Sequence, residues 1–156
     1  MKLRHLFFAC SGVFVMIFSL LLLVVIVFSD EEDGGSGGNL IYGGVSVSQE
    51  VLAHKPMLEK YAREYGIEEY LNVLLAIIQV ESGGTLEDVM QSSESLGLPP
   101  NSLSTEESIK QGCKYFSELL AAAETKGCDL NSVIQSYNYG GGFLDYVAGR
   151  GKKIHF

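Results

Sequence analysis

Leu71-Asn72-Val73-Leu74-Leu75-Ala76-Ile77-Ile78-Gln79-Val80-Glu81-Ser82-Gly83-Gly84 decides how the chain is read. Leu71, Leu74, Leu75 and Ile78 recur at helical spacing, and Val73, Ile77 and Val80 fill the gaps. The pattern predicts a helix over about 68–81, apolar nearly all round and so buried. It runs into one carboxylate and then breaks at two glycines. Glu81 is therefore expected at the wet end of a dry helix. Burial disfavours the charged form of a carboxyl and raises its pKa. A carboxylic acid still protonated near neutral pH can serve as a general acid. Taken alone, the same hexamer also fits an idle glutamate in a last helical turn.

On either side the signal stays helical. Ser48 is a plausible N-cap, Val51, Leu52, Leu58, Tyr61 and Tyr65 share one face, and Gly66 suits the end. Pro56 predicts a kink or a second start in this first helix. Ser104-Thr105-Glu106-Glu107 fits a capping box. It opens a helix with Ile109, Cys113, Phe116, Leu119, Leu120 and Ala123 as its buried stripe, ending near Gly127. Asp129 can cap a further helix with Leu130, Val133, Ile134 and Tyr137, broken by Gly140-Gly141-Gly142. Phe143 to Val147 adds one more turn. Thr85 to Asn101 reads as irregular chain, and long loops in small domains are often functional. No sustained period-two alternation occurs after Ser48, so the fold class is all-α.

Upstream the composition changes. Leu6 to Phe28 is 23 residues without a charge, long enough to span a bilayer as a helix. Lys2, Arg4 and His5 precede it and Asp30-Glu31-Glu32-Asp33 follow it. The positive-inside rule puts the N-terminus in the cytoplasm and the remainder outside. A cleaved signal peptide is the alternative, although its apolar core would normally be about 7–15 residues. The organisation expected is an anchor over 1–29, a flexible acidic, Gly-rich linker over 30–47, and a helical domain over 48–156.

Beyond the anchor, nine basic residues face nineteen acidic ones, a net charge of −10. That argues against a nucleic-acid partner, which needs a basic face. The glycines of 34–44 lack a phosphate-binding pattern, and no Cys/His spacing suggests a metal. No cofactor is expected. Cys10 lies in the apolar segment. Cys113 and Cys128 could pair, but Cys113 falls in register with a buried stripe and reads as a free thiol.

Three polar stretches interrupt the helices: Glu81-Ser82-Gly83-Gly84, Met90-Gln91-Ser92-Ser93-Glu94-Ser95 and Gln135-Ser136-Tyr137-Asn138-Tyr139-Gly140. Amides and hydroxyls at a cleft suit sugar hydroxyls and N-acetyl groups, and tyrosine rings pack on sugar faces. Singly each stretch has an ordinary structural explanation. In this order they resemble the lysozyme-like domain of the soluble lytic transglycosylase and goose-type lysozyme superfamily. The likeness is closest to the membrane-anchored cell-wall hydrolases of Gram-positive conjugative elements. There the domain commonly follows a membrane anchor and precedes a peptidase domain of the NlpC/P60 type.

The resemblance implies a lysozyme-like helical domain behind one transmembrane helix. It implies a peptidoglycan glycan strand as substrate, cut between N-acetylmuramic acid and N-acetylglucosamine, and association with a conjugation or secretion apparatus. It makes Glu81 the catalytic acid and Tyr137 the tyrosine beside it. Gln91 and Asn138 match residues lining the glycan cleft; Ser82, Ser93, Glu94 and Tyr139 are further contacts. No second carboxylate stands out, so water attack (a muramidase) and attack by the muramic acid 6-hydroxyl (a lytic transglycosylase) both stay open. A non-catalytic glycan-binding or assembly module and a purely protein-contacting helical domain are the other readings. Two departures stand out. Asp88-Val89 replace the Gly-Leu that many transglycosylase-type relatives carry before Met-Gln. The sequence also stops at Phe156, soon after the Y-N-x-G motif, which reads as a truncated domain.

Overall fold

The computed structural model describes residues 39–42 and 45–151. The expected anchor and the first part of the linker lie outside the described residues. Among the described residues no helix is long and apolar enough to cross a membrane.

The chain does not stay irregular up to Val47. Strand β1 (Asn39–Tyr42) pairs antiparallel with β2 (Val45–Ser48), Asn39 opposite Ser48 and Tyr42 opposite Val45. This corrects both the linker boundary and the purely helical fold class. The physical reason is the short alternation Val45-Ser46-Val47-Ser48, which drops Val47 into the core with no exposure.

Ser48 then caps α1 (Gln49–Ala53), its hydroxyl accepting from the Val51 amide at 3.3 Å. The helix breaks at His54, and α2 (Lys55–Glu64) begins with Pro56 in its first turn, where a missing amide hydrogen costs nothing. A 3-10 turn over Glu68–Tyr70 feeds α3 (Leu71–Glu81). A second 3-10 turn, Ser92–Leu96, orders part of the long loop. The longest helix, α4 (Thr105–Lys126), opens with both arms of the Ser104–Glu107 capping box formed and closes on Gly127, whose φ of +68° favours glycine. Asp129 caps α5 (Leu130–Tyr139) through the Ser132 amide at 3.0 Å, and α6 (Gly142–Ala148) follows.

Leu74, Leu75, Ile77 and Ile78 of α3 are buried against Leu58 and Ala62 of α2 and Ile109, Cys113 and Phe116 of α4 in a single cluster. Phe116 is its largest fully buried side chain; a Phe taken out of water contributes about 2–3 kcal/mol. Tyr70 meets the edge of Phe116 and Tyr137 tilts against it. Cys113 and Cys128 are both free thiols, as the register of Cys113 predicts. Burial pushes the Cys113 thiol up to about 12, so it is inert at neutral pH.

Candidate active site

Glu81 is the last residue of α3 and is part-buried. The turn after it is set by sterics. Gly84 has φ +77°, and a β-carbon there would lie 2.7 Å from Glu50 C and Val51 N. Only glycine fits so close to another backbone. His54 Nε2 meets the Gly84 carbonyl at 2.9 Å, and the Ser48 amide donates to Gln79 Oε1 at 2.7 Å. The helix end that carries Glu81 is thereby stapled to the hairpin and α1.

Ser82 joins this helix end to the loop. Its hydroxyl donates to the Val89 carbonyl at 2.7 Å and accepts from the Gly84 amide at 3.0 Å. The loop itself is built on Asp88, which has no exposure. Asp88 Oδ1 accepts from the Ser92 amide at 3.0 Å and from Ser108 Oγ at 2.6 Å, while Oδ2 accepts from the Ser93 amide at 3.2 Å. Ser108 Oγ also accepts from the Met90 amide at 3.0 Å, and Ser92 Oγ donates to the Ser108 carbonyl at 2.9 Å. A buried carboxylate persists only with such donors.

Opposite the loop stands Tyr137 on α5. Its hydroxyl donates to the Met90 carbonyl at 3.1 Å, and its ring tilts against Tyr115 at 5.5 Å. Burial and then the charge of Glu81 push the Tyr137 phenol well above its ordinary range. It is a fixed hydrogen-bond donor at working pH. Glu81 accepts no hydrogen bond from the described residues. Burial, then the charges of Glu94 and Asp88, raise its pKa to about 7. A partly buried carboxyl with no donor holds its proton.

The structure thus brings Glu81, Ser82, Tyr137 and the 88–94 loop together. Gln91 adopts a left-handed conformation, φ 47°, and its amide donates to the Asp88 carbonyl at 2.9 Å and to Asn101 Oδ1 at 2.8 Å. Ser93 is fully buried, with a hydroxyl that finds no hydrogen-bond partner among the described residues. Glu94 is exposed and acts on Glu81 through its charge. Asn138 is part-buried at the end of α5. Tyr139 is 46% exposed and its ring lies 5.4 Å from Phe143, at the junction with α6. A separate surface cleft, lined by Tyr65, Leu96, Leu103, Lys110 and Lys114, includes none of these residues.

Sequence reasoning missed the supports. In the sequence Asp88 reads as a loop carboxylate and as a departure from a family pattern, not as a support. The available signal was its spacing to Ser92-Ser93, which suits a carboxylate accepting from amides a turn ahead. Ser108 left no comparable signal.

A family model described as lysozyme-like matches residues 48–156. The chain belongs to the lysozyme-like family. Among the relatives of this lysozyme-like domain is the "Bifunctional muramidase/DL-endopeptidase CwlT" of Bacillus subtilis (strain 168), 43% identical over 72% of this chain and 33% of that protein. The "Uncharacterized membrane protein YocA" of the same organism is 40% identical over 67% of this chain and 47% of its own length. A "Pneumococcal vaccine antigen A homolog" of Streptococcus pyogenes is 41% identical over 67% and 53%. A crystal structure from Staphylococcus aureus subsp. aureus Mu50, described as similar to a lipoprotein of the NLP/P60 family, superposes with a TM-score of 0.69 at 75% identity. It covers 70% of this chain and 37% of that one. The lysozyme-like chain spans about a third to a half of the length of these relatives.

Proposed function

We propose that the lysozyme-like domain is an N-acetylmuramidase, cleaving the peptidoglycan glycan strand between N-acetylmuramic acid and N-acetylglucosamine with Glu81 as general acid. The observation that carries this reading is a part-buried carboxyl at the convergence of the three polar stretches, with no hydrogen-bond donor among the described residues and with burial pushing its pKa up to about 7. Glu81 gives its proton to the glycosidic oxygen as the bond to C1 breaks and an oxocarbenium-like transition state forms. Water then adds to C1, and its proton restores Glu81. Gln91, Asn138, Ser82, Glu94 and Tyr139 are proposed glycan contacts, and Ser93, fully buried, is proposed to act from behind the loop rather than by touching the glycan. Of these, Ser82 and Gln91 already spend hydrogen bonds on holding the loop. The muramidase name of the Bacillus relative supports the substrate class.

Lytic transglycosylation is the second reading, and one observation favours it. Asp88 has no exposure and is committed to the Ser92 and Ser93 amides and Ser108 Oγ, so it does not face the space in which water would attack. If the muramic acid 6-hydroxyl attacks C1 instead, no second carboxylate is needed and the product carries a 1,6-anhydro end. Mass spectrometry of digested sacculi separates the two products. Glu81→Gln tests both, since retained cleavage in a folded Glu81→Gln variant would remove the acid role.

The anchor over 1–29, an extracellular domain on a tether, and contact with a conjugation or secretion apparatus belong to the same proposal. The uncharged 23-residue run and the membrane protein among the relatives support the anchor. The apparatus rests on the family resemblance.

A further inference from the structure

Gly112 sits inside the 22-residue helix α4 and is buried. Glycine is a poor helix former, and its backbone here needs no left-handed conformation. What excludes a side chain is the space. A β-carbon on Gly112 would lie 2.5 Å from Met90 Sδ, 2.8 Å from Met90 Cε and 2.9 Å from Tyr137 Oη. Both contacts are with side-chain ends, so an added methyl must push Met90 or Tyr137 out of its seat. Met90 has no exposure, and the Tyr137 hydroxyl is engaged by the Met90 carbonyl.

One turn earlier on the same face of α4, Ser108 Oγ accepts from the Met90 amide. Met90 is therefore held at its amide by Ser108, at its side chain by the hollow over Gly112, and at its carbonyl by Tyr137. The next residue, Gln91, takes the left-handed conformation that turns the chain. We infer that Gly112 and Ser108 form a cradle on α4 that seats Met90 and thereby fixes the 88–94 loop and the Tyr137 hydroxyl in the glycan-cleaving site. Gly112 is a positioning residue. The inference rests on the glycosidase reading for its effect on rate, though not for the cradle itself.

The test compares Gly112→Ala, Met90→Val and the double variant in the full chain. The double variant adds a methyl on the helix and removes the Sδ–Cε end from the loop. On purified peptidoglycan, Gly112→Ala is expected to lower kcat by about 100-fold, the effect of an ångström-scale misplacement, with KM little changed. Its alkaline pH limb should move down toward the ordinary carboxyl range as water reaches Glu81. A defect confined to stability scales the profile without moving that limb. The double variant should recover most of the rate and return the limb. Wild-type kcat and limb in Gly112→Ala, or a double variant no better than the single one, would overturn the inference. If Gly112→Ala fails to fold, the rescue is read on folding itself, and an unfolded double variant has the same consequence.

Wild type and Glu81→Gln run alongside separate the two readings. A wild type that releases no new glycan ends removes the glycosidase reading. The cradle is then judged by amide hydrogen exchange at Met90 and Gln91. Exchange should be faster in Gly112→Ala and restored in the double variant; unchanged exchange would refute the cradle.

Discussion

Glu81 and Asp88 are seven residues apart and both are withdrawn from water, yet the chain treats them oppositely. Asp88 is given the amides of Ser92 and Ser93 and the hydroxyl of Ser108. Glu81 is given no donor among the described residues, and the charges of Glu94 and Asp88 work against its ionisation. Burial alone does not define a catalytic acid. The presence or absence of hydrogen-bond donors separates a structural carboxylate from a reactive one.

Three substitutions probe that contrast. The largest effect is expected from Glu81→Gln, which keeps shape but cannot supply a proton. Release of glycan ends should fall by about 1,000-fold or more, measured by product analysis, with circular dichroism unchanged. Asp88→Ala leaves its three donors buried without an acceptor. It should lower stability by about 3 kcal/mol or more in chemical denaturation, with the loop failing before the helices.

Glu81→Gln should also raise stability above neutral pH. The folded-state pKa of Glu81, about 7, lies above its ordinary 4.5, so the folded state binds the proton more tightly than the unfolded one. Stability from this group is complete below about 4.5 and is lost as pH rises to about 7. At pH 8 the variant should exceed wild type by up to about 3 kcal/mol; at pH 4 the two should coincide. Thermal melts at both pH values check the sign. The smallest effect belongs to Glu94→Gln. Removing an exposed charge that opposes ionisation should move the alkaline limb of activity slightly downward, and added salt should shrink the difference.

Much of this was legible in the sequence. The apolar run of α3, the Ser104–Glu107 capping box, Gly127 and the Asp129 cap are local signals, and each reads the same in isolation and in the fold. The ends of α3 and α5 could be placed because glycines follow them. Tyr137 near Glu81 was legible through the order of three motifs. What failed to show is non-local. The hairpin has four-residue strands, too short for alternation to register. Gly112 looks like a blemish in a good helix until Met90 and Tyr137 arrive over it from other parts of the chain. The bonds of the Ser82 hydroxyl to the Val89 carbonyl and the Gly84 amide are equally invisible in the sequence.

The staple between Ser48 and the α3 terminus has a mechanical consequence. Ser48 ends β2, gives its amide to Gln79 and gives its hydroxyl to the Gly83 carbonyl at 3.3 Å. Tension applied to the chain before Asn39 enters through β1 and reaches Ser48 as the hairpin is loaded. From there it is shared with the residues two positions on either side of Glu81. A pull on the hairpin is therefore divided between the core, which it enters through Val47, and the helix end that carries Glu81, which it reaches through Gln79 and Gly83.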